Sequence, residues 1–516
     1  MNGPCRLLPG DTAALLYDSA ASRAIEQAAL ADAPAHGLME RAGLAVARLA
    51  LSIAPHARHI WIAAGPGNNG GDGLVAARWL HAAGKSVHVT CTGDPDRLPP
   101  DAAHARHQAL LAGVALHGAI DWPVADQPAP DLVIDALLGL GQRRGPEGEM
   151  AETIRALQAC RRRGAAVLAV DLPTGLCADT GRQLGEVLVQ ADATLALLTP
   201  KPGLFSGQGR DASGQVWWDG LGAAPGASLA TARLSNSTDA RIALGPRLAA
   251  PHASHKGHFG DVWVVGGAPG MQGAAQLAAR ASLRAGAGRV YVSALDGGLP
   301  QPPTSLELMQ RPWHDARTAG WVEHATVVCG CGGGDAVRKV LPELISRAHR
   351  LVLDADALNC IATDSALAIQ LETRGRRGAA TVMTPHPLEA ARLLATDTAG
   401  LQADRLRAAQ ALADRFGAVV VLKGSGSVVA APGRQPVINA SGNARLATAG
   451  TGDVLAGWIG GCWSSHGNDD VLAVAAQVAV GSTWLHGRAV ETHGAALPLP
   501  AGQLIDAMVE AADALR

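Results

Sequence analysis

The chain has 516 residues, a formal net charge of −2, and 48% hydrophobic residues, with 62 glycines and 30 prolines. That length is too great for one ordinary core and predicts two or three domains; the composition is that of a loop-rich globular α/β protein rather than a disordered chain. Near-neutral charge argues against nucleic acid or an anionic membrane surface as a partner.

The first half alternates apolar strands with helical patterns. Strands are predicted at 60–64, 86–91, 131–135, 166–170 and 193–198, with helices over 101–112 and 151–162. Alternation of this kind implies an open parallel sheet with right-handed crossovers, a Rossmann-like arrangement. Runs without polar alternation fit strands covered on both faces.

Residues 65–73, Gly-Pro-Gly-Asn-Asn-Gly-Gly-Asp-Gly, stand between the first strand and a helical pattern. A strand turning sharply through glycines into a helix aims backbone N–H groups at an anion. Asn68, Asn69 and Asp72 add polar groups that a plain βα turn, the bland alternative, does not need. The third strand ends at Asp135 and the fourth at Asp171, followed by Leu172-Pro173-Thr174-Gly175. Ligands of open α/β sheets bind outside the carboxyl ends of the strands, so these acids converge on one crevice. Only five of the 43 basic residues are lysines (85, 201, 256, 339, 423), and Lys201, Lys256 and Lys423 each precede a glycine directly or after one proline. That pattern suits a phosphate or a tight turn. Residues 222–236 are small and polar and read as a linker.

A second α/β unit begins at 261–267. A small-residue helix follows over 274–286, then strands at 289–292, 326–330, 350–354, 380–384 and 419–422, and a helical C-terminal third. Residues 448–457 read Thr-Ala-Gly-Thr-Gly-Asp-Val-Leu-Ala-Gly: Gly450-Thr451-Gly452 forms a nest, and Asp453 opens a helix whose dipole favours a phosphoryl group there. Asp453 is placed to take a proton from an attacking hydroxyl, with a plain N-cap as its alternative. Lys423 to Ser427 supplies a second flexible, phosphate-facing loop. His386, between two prolines, faces either a ligand or solvent.

The apolar stretch 471–485 is shorter than the roughly 18–20 residues of a membrane span and reads as a core helix. Residues 1–6 lack the pattern of a signal peptide. The eight cysteines (5, 91, 160, 177, 329, 331, 360, 462) are scattered, and Cys329/Cys331 is poor zinc spacing, so free thiols in a reducing cytoplasm are expected.

These motifs resemble the bifunctional NAD(P)H-hydrate repair enzymes, in which an epimerase domain is fused to a nucleotide-dependent dehydratase domain. In the first half the resemblance rests on 38–43, 65–73, Asp135, 171–175 and 201–204. In the second it rests on 255–257, the Ala-rich run to Gly288, 354–358, 384–387, 423–424 and 450–455. It implies an epimerase domain over 1–225 and a ribokinase-like, ADP-dependent dehydratase domain over 226–516. Asn68, Asn69, Gly70, Gly71, Asp72 and Gly139, Leu140, Gly141, Gln142, Arg143, Arg144, Gly145 would hold the hydrated dinucleotide (NADHX or NADPHX). Asp171 would be the acid/base at the altered ring, and Asn69, Asp135 and Thr174 would bind K+. In the second domain Lys423, Gly424, Ser425, Gly426, Ser427 and Gly452 would contact the nucleotide, ADP with Mg2+. Ala274, Gly334, His386 and Asp453 would face the hydrated nicotinamide. A cytoplasmic homo-oligomer acting on small molecules, with no nucleic-acid or membrane partner, is the implied setting.

Two segments depart from the family pattern. Gly330-Cys331-Gly332-Gly333-Gly334 stands where Gly-Pro-Gly-Leu-Gly is usual, and Gly442-Asn443-Ala444-Arg445-Leu446 replaces Gly-Asn-Pro-Gly-Met. Two rival readings are an ordinary hydroxyl kinase with the first domain as scaffold, and a first domain that binds without catalysing.

Overall fold

The computed structural model describes residues 3–7, 13–118, 129–223, 225–295, 305–318, 320–467, 470–494 and 497–516. Its contacts divide the chain into two compact units, the second starting at Arg233, a few residues beyond the expected boundary at 225/226.

The first unit is built on an eight-stranded sheet. In spatial order the strands are Cys5–Arg6, Gln215–Asp219, Ala193–Leu197, Ala166–Val170, Leu132–Ala136, His59–Ala64, Ser86–Cys91 and Ala115–Gly118. All neighbours are parallel except the short first strand. Both faces are covered: Ile60, Ile62 and Ile134 pack into one core, and Trp61, Ala63 and Val133 into the other. Double burial explains the uninterrupted apolar runs. The five expected strands and both expected helices, Pro100–Leu111 and Gly148–Arg162, are present; three further strands, at 5–6, 115–118 and 215–219, lacked a readable pattern.

In the second unit the spatial order is Met309–Gln310, Arg289–Ala294, Asp261–Gly266, Thr326–Cys329, Arg350–Leu353, Thr381–Met383, Val419–Leu422, Ser427–Ala430, Val437–Asn439 and Ala232–Leu234. The first seven run parallel, and Ser427–Ala430 is antiparallel to both its neighbours. Again there are two cores, with Val262, Val264 and Val352 on one side and Trp263, Val327 and Leu351 on the other. Cys329 and Cys331 point into different cores; two residues apart on one strand they would share a face, but the strand ends at Cys329 and the chain turns at Gly330, φ 115°.

The linker reading of 222–236 is corrected at its end. Arg233 and Leu234 pair in parallel with Val437 and Ile438, and Asn236 with Asp239 forms a capping box on the helix Ser237–Leu248. The polar residues that suggested a linker are the cap.

The helix Thr451–Ser464 is seated on the helix Gln272–Arg284 through glycine. A Cβ at Gly457 would lie 2.0 Å from the Ala278 carbonyl oxygen, and one at Gly461 would lie 2.2 Å from that of Ser282. Ser282 Oγ donates to the Gly457 carbonyl at 2.8 Å. This close approach fixes the helix that carries Asp453. The apolar stretch from Val471 lies in the helix Val471–Thr492, and no helix among the described residues is long and apolar enough to cross a membrane.

Candidate functional site

In the first unit, parallel register places Asp135 beside Ala63 and Ala169, so three strands deliver their carboxyl ends to one level. The glycine-rich segment there differs from the expected turn. Only 65–67 turn; the helix begins at Asn68, capped by Gly67. None of the glycines from 65 to 73 has positive φ. All but Gly67 serve close approach instead: a Cβ at Gly65 would lie 1.8 Å from the Leu137 oxygen, and one at Gly70 would lie 1.9 Å from the Gly65 oxygen. Gly71 packs on Met39 and Gly73 on Ala136. Gly70 and Gly71 therefore face the protein, while Asn68, Asn69 and Asp72 line a cavity of about 430 Å³.

Asp171 anchors that cavity. Its backbone is left-handed at φ 65°, a strained choice for a residue with a side chain. Its carboxylate accepts from the Leu140 N–H at 3.1 Å and the Leu197 N–H at 3.2 Å, and it is ion-paired with Lys201. Lys201 is buried at 1% exposure and also donates to the Leu197 carbonyl at 2.9 Å. Of the two settings its pattern suits, a phosphate or a tight turn, the structure has the turn, Lys201 capping Pro202–Leu204 with its ammonium committed to Asp171. This partner, 30 residues away in sequence, carried no local signal.

Gly139, Leu140, Gly141 and Gln142 line the same cavity. A Cβ at Gly139 would lie 2.9 Å from Asn69 Oδ1 and 3.1 Å from Asp171 Oδ2, so glycine lets the loop pass between them. Gln142 ties the loop down, accepting from the Gly175 N–H at 2.7 Å and donating to the Pro173 carbonyl at 3.4 Å. Arg143, Arg144 and Gly145 lie in an adjoining groove, both arginines exposed, and Gly145 packs against Gly185.

Asp135 is fully buried. It accepts from the Thr174 N–H at 2.8 Å, the Thr174 hydroxyl at 2.7 Å and the Leu137 N–H at 3.2 Å. Burial pushes its pKa up to about 6, against the pull of those hydrogen bonds. Asn69 Nδ2 is buried without a hydrogen-bond partner. A buried carboxylate beside a hydroxyl is a set of oxygen ligands that fits a hard monovalent cation, to which Asn69, in the first turn of the neighbouring helix, would add its Oδ1 and not the unpartnered Nδ2. Asp72 is also raised well above its ordinary value, by burial and then by Asp171, Glu26 and Asp101.

In the second unit, the aligned ends of neighbouring parallel strands carry Cys331, Asp354, Thr384 and Lys423. Lys423 Nζ is 2.7 Å from Asp354 Oδ1, which also accepts from Thr384 Oγ1 at 2.8 Å. Burial lowers the Lys423 pKa, but Asp354 and Glu389 more than reverse this and leave it raised. Facing them is the helix N-terminus. Gly450, at φ 90°, is the cap, so Asp453 belongs to the first turn and is not the N-cap. A Cβ at Gly452 would lie 3.2 Å from Lys423 Nζ.

Cys331, Asp354 and Asp453 bring one ligand atom each within 4.8 Å of one another. The Asp453 pKa is pushed up to about 6 by burial and by Asp354, against the Cys331 thiol and Lys423. His486, unremarked in the sequence, supports this turn: its Nε2 lies 2.9 Å from the Thr451 carbonyl, and burial lowers its pKa to about 4, keeping it neutral.

Gly334, at φ 52°, donates its N–H to Asp356 Oδ2 at 2.8 Å. Ala274 borders the same loop, 2.9 Å from where a Gly332 Cβ would lie. His386 caps the helix Pro387–Leu393. Its Nδ1 accepts from the Leu388 and Glu389 N–H groups at 3.2 and 3.3 Å, and its Nε2 is 3.1 Å from Glu389 Oε1, with 45% of the side chain exposed. The Lys423–Ser427 loop, expected to be flexible, is a turn between antiparallel strands pinned by Arg405. That buried side chain donates to the carbonyls of Leu422, Lys423 and Gly426.

Comparison with known proteins agrees with this division. The family described as YjeF-related protein N-terminus matches residues 35–203, and that described as NAD(P)H-hydrate dehydratase matches 262–500. The chain is 38% identical over 431 residues to the bifunctional NAD(P)H-hydrate repair enzyme of Escherichia coli (strain K12), covering 82% of this chain and 79% of that one. It is 36% identical over 493 residues to the enzyme of the same name from Leishmania braziliensis, covering 86% and 83%. Among solved structures, an ADP/ATP-dependent NAD(P)H-hydrate dehydratase from Bacillus subtilis aligns at 25% identity and a TM-score of 0.43, over 52% of this chain and 93% of that one. On the identity and coverage of its relatives, the chain belongs to the family of bifunctional NAD(P)H-hydrate repair enzymes.

Proposed function

We propose that this protein is a bifunctional metabolite-repair enzyme, with an epimerase in residues 1–225 and a ribokinase-like dehydratase in 226–516. The first interconverts the R and S forms of hydrated NADH and NADPH. The second dehydrates the S form, coupled to conversion of ADP to AMP and phosphate. The observation that carries the reading is the placement of two carboxyl groups. Asp171 stands in the first unit's cavity beside Asn69 and Gly139, and Asp453 in the first turn of a helix opposite Lys423 and Asp354.

The chemistry follows from those surroundings. Hydroxide is a poor leaving group, and phosphorylating the C6 hydroxyl makes a good one. At the second site the Gly450–Gly452 turn offers N–H groups and the positive end of a helix dipole to the transferring phosphoryl. Asp453 takes the hydroxyl proton, and its raised pKa makes it a stronger base than an ordinary aspartate. Mg2+ would be held by the nucleotide's phosphates with Asp354 and would neutralise phosphate charge. Lys423 to Ser427 and Gly452 border the nucleotide, and Ala274, Gly334 and His386 border the nicotinamide.

Such a site accepts one hand of the hydrated carbon, so an epimerase must rescue the other. Asn68 to Asp72 and Gly139 to Gly145 hold the hydrate, with Asp171 at the altered ring. Asn69, Asp135 and Thr174 would hold K+, which would supply the countercharge that the Asp135 carboxylate lacks. Free thiols throughout support a reducing, cytoplasmic setting, and the resemblance extends to a homo-oligomer.

The test is incubation of the full chain with both hydrate epimers, ADP, Mg2+ and K+, following the ultraviolet absorbance of the restored dihydronicotinamide. Complete recovery with AMP and phosphate released in step supports both activities. Recovery that stalls at the S fraction removes the epimerase. A phosphorylated product that accumulates returns the second unit to an ordinary kinase.

A further inference from the structure

The epimerase cavity holds more acid than one catalytic carboxylate requires. Glu26, Asp72, Asp101 and Asp171 all line it, from the helices Ser19–Asp32, Asn68–Ala82 and Pro100–Leu111 and from the strand end after Val170. Two cations reach the same space. Lys201 is bound to Asp171 and to the Leu197 carbonyl, and Arg23 Nη2 lies 3.4 Å from the Leu140 carbonyl. Asp171 therefore has a buried cation and two backbone N–H donors. Among the described residues Asp72 has no ion pair and no side-chain hydrogen bond, and its charged neighbours, Asp171, Glu26 and Asp101, are all carboxyls.

We propose that the two carboxyls divide the proton transfers of epimerisation: Asp171, fixed by Lys201, accepts a proton, and Asp72, which has no ion pair among the described residues, donates one. Lys201 is then a positioning residue and Asp72 a second catalytic residue. The inference rests on the epimerase reading above.

The step balances without a redox partner. Asp72 gives its proton to the C6 hydroxyl as the C6–O bond breaks and water leaves, while the ring nitrogen lone pair closes a nitrogen–C6 double bond. Water returns to C6, reopens that double bond and loses its extra proton to Asp171. The proton passes back to Asp72 through water. The direction of the Asp72 shift agrees with this role, since burial and three neighbouring acids all favour the protonated form.

The test follows conversion of the purified R hydrate to the S hydrate by chromatography, using the full chain without ADP, so that the dehydratase takes no part. A wild-type chain that does not interconvert the epimers removes the epimerase reading itself. Where conversion occurs, Asp72→Asn is expected to lower kcat at least about 100-fold, with KM within about threefold. It should also abolish the fall in rate at alkaline pH that deprotonation of the donor produces in the wild type. Asp72→Glu is expected to restore an alkaline limb, displaced from its wild-type position, with part of the rate, a rescue that a packing role would not give. Asp72→Asn with kcat within about threefold of wild type, or a loss confined to KM, overturns the proposal. Should Asp72→Asn fail to fold by circular dichroism, Asp72→Glu decides: an alkaline limb unmoved from wild type overturns it.

Discussion

Replacing Lys201 by methionine isolates the ion pair on which the first site depends. The side chain is 1% exposed and Asp171 is 7% exposed, so the variant leaves a carboxylate nearly out of water with only the Leu140 and Leu197 N–H groups to hold it. Methionine matches the length of the lysine stem, so little packing is lost. Removing one partner of a buried pair costs about 3–5 kcal/mol, because the other charge is stranded. For a unit of this size that corresponds to roughly 6–20 °C in melting temperature. Lys201→Met/Asp171→Asn removes both charges and should recover most of the loss, since neutralising a buried pair as a whole is close to neutral. Calorimetry of the full-length wild type, both single variants and the double variant gives the coupling energy, read on whichever transition moves. A single and a double variant that melt together would refute the reasoning, because Lys201 would then be a packing residue and not the counter-ion of Asp171.

Asp453→Asn should abolish dehydration while leaving epimerisation intact, measured by AMP release and by chromatography. The wild-type dehydration rate should fall as pH drops through about 6, where Asp453 protonates. Its folded pKa lies above the unfolded value of 3.8, so its contribution to stability is fully present below that value and is lost as pH rises through about 6. Urea titrations should show that slope in the wild type and a flatter one in Asp453→Asn. Exchanging K+ for choline at constant ionic strength should lower the melting temperature of the wild type and leave Asp135→Asn unmoved; a K+ response retained in that variant would remove Asp135 from the K+ ligand set. Gly65→Ala drives a Cβ to 1.8 Å from the Leu137 carbonyl, backbone that cannot swing away, and should destabilise by about 1–3 kcal/mol or more in denaturant titration.

Much of both sheets was legible because doubly covered strands leave an unmistakable record: 60–64 and 166–170 are apolar runs bounded by turn residues. Edge strands were not. Ala115-Leu116-His117-Gly118 has no alternation, and its place in the sheet comes from pairing with Ser86–Cys91. The positions of Asp135, Asp171 and Asp453 followed from strand ends and a glycine nest. What surrounds them did not, since Lys201 at Asp171 and His486 beneath Thr451 are contacts across the fold. Gly70 and Gly71 look like turn residues in the sequence because composition cannot separate a glycine needed for its dihedral from one needed for its size. For His386 the sequence leaves a ligand or solvent open and gives no sign of the cap it forms, because histidine is an unusual N-cap, although Pro387 and Glu389 after it are what a helix start requires.

The two sites use lysine in opposite ways, and the difference suits their reactions. In the first, the buried lysine is spent on Asp171 itself. That favours a carboxylate fixed in place to accept the proton of the water that returns to C6, with donation left to Asp72. In the second, Lys423 is spent on Asp354, and Asp453 is left beside that carboxylate with no cation of its own among the described residues. An aspartate so placed has its pKa pushed up to about 6, close enough to neutral pH to take a hydroxyl proton effectively while still mostly ionised. Had Lys423 paired with Asp453 instead, it would have stabilised the anion and weakened the base. The Thr384 hydroxyl, which shares Asp354 Oδ1 with Lys423, holds the lysine's partner in place and so protects that separation. Removing this hydroxyl with Thr384→Val should therefore slow AMP release, by loosening the Asp354 carboxylate that keeps Lys423 from Asp453.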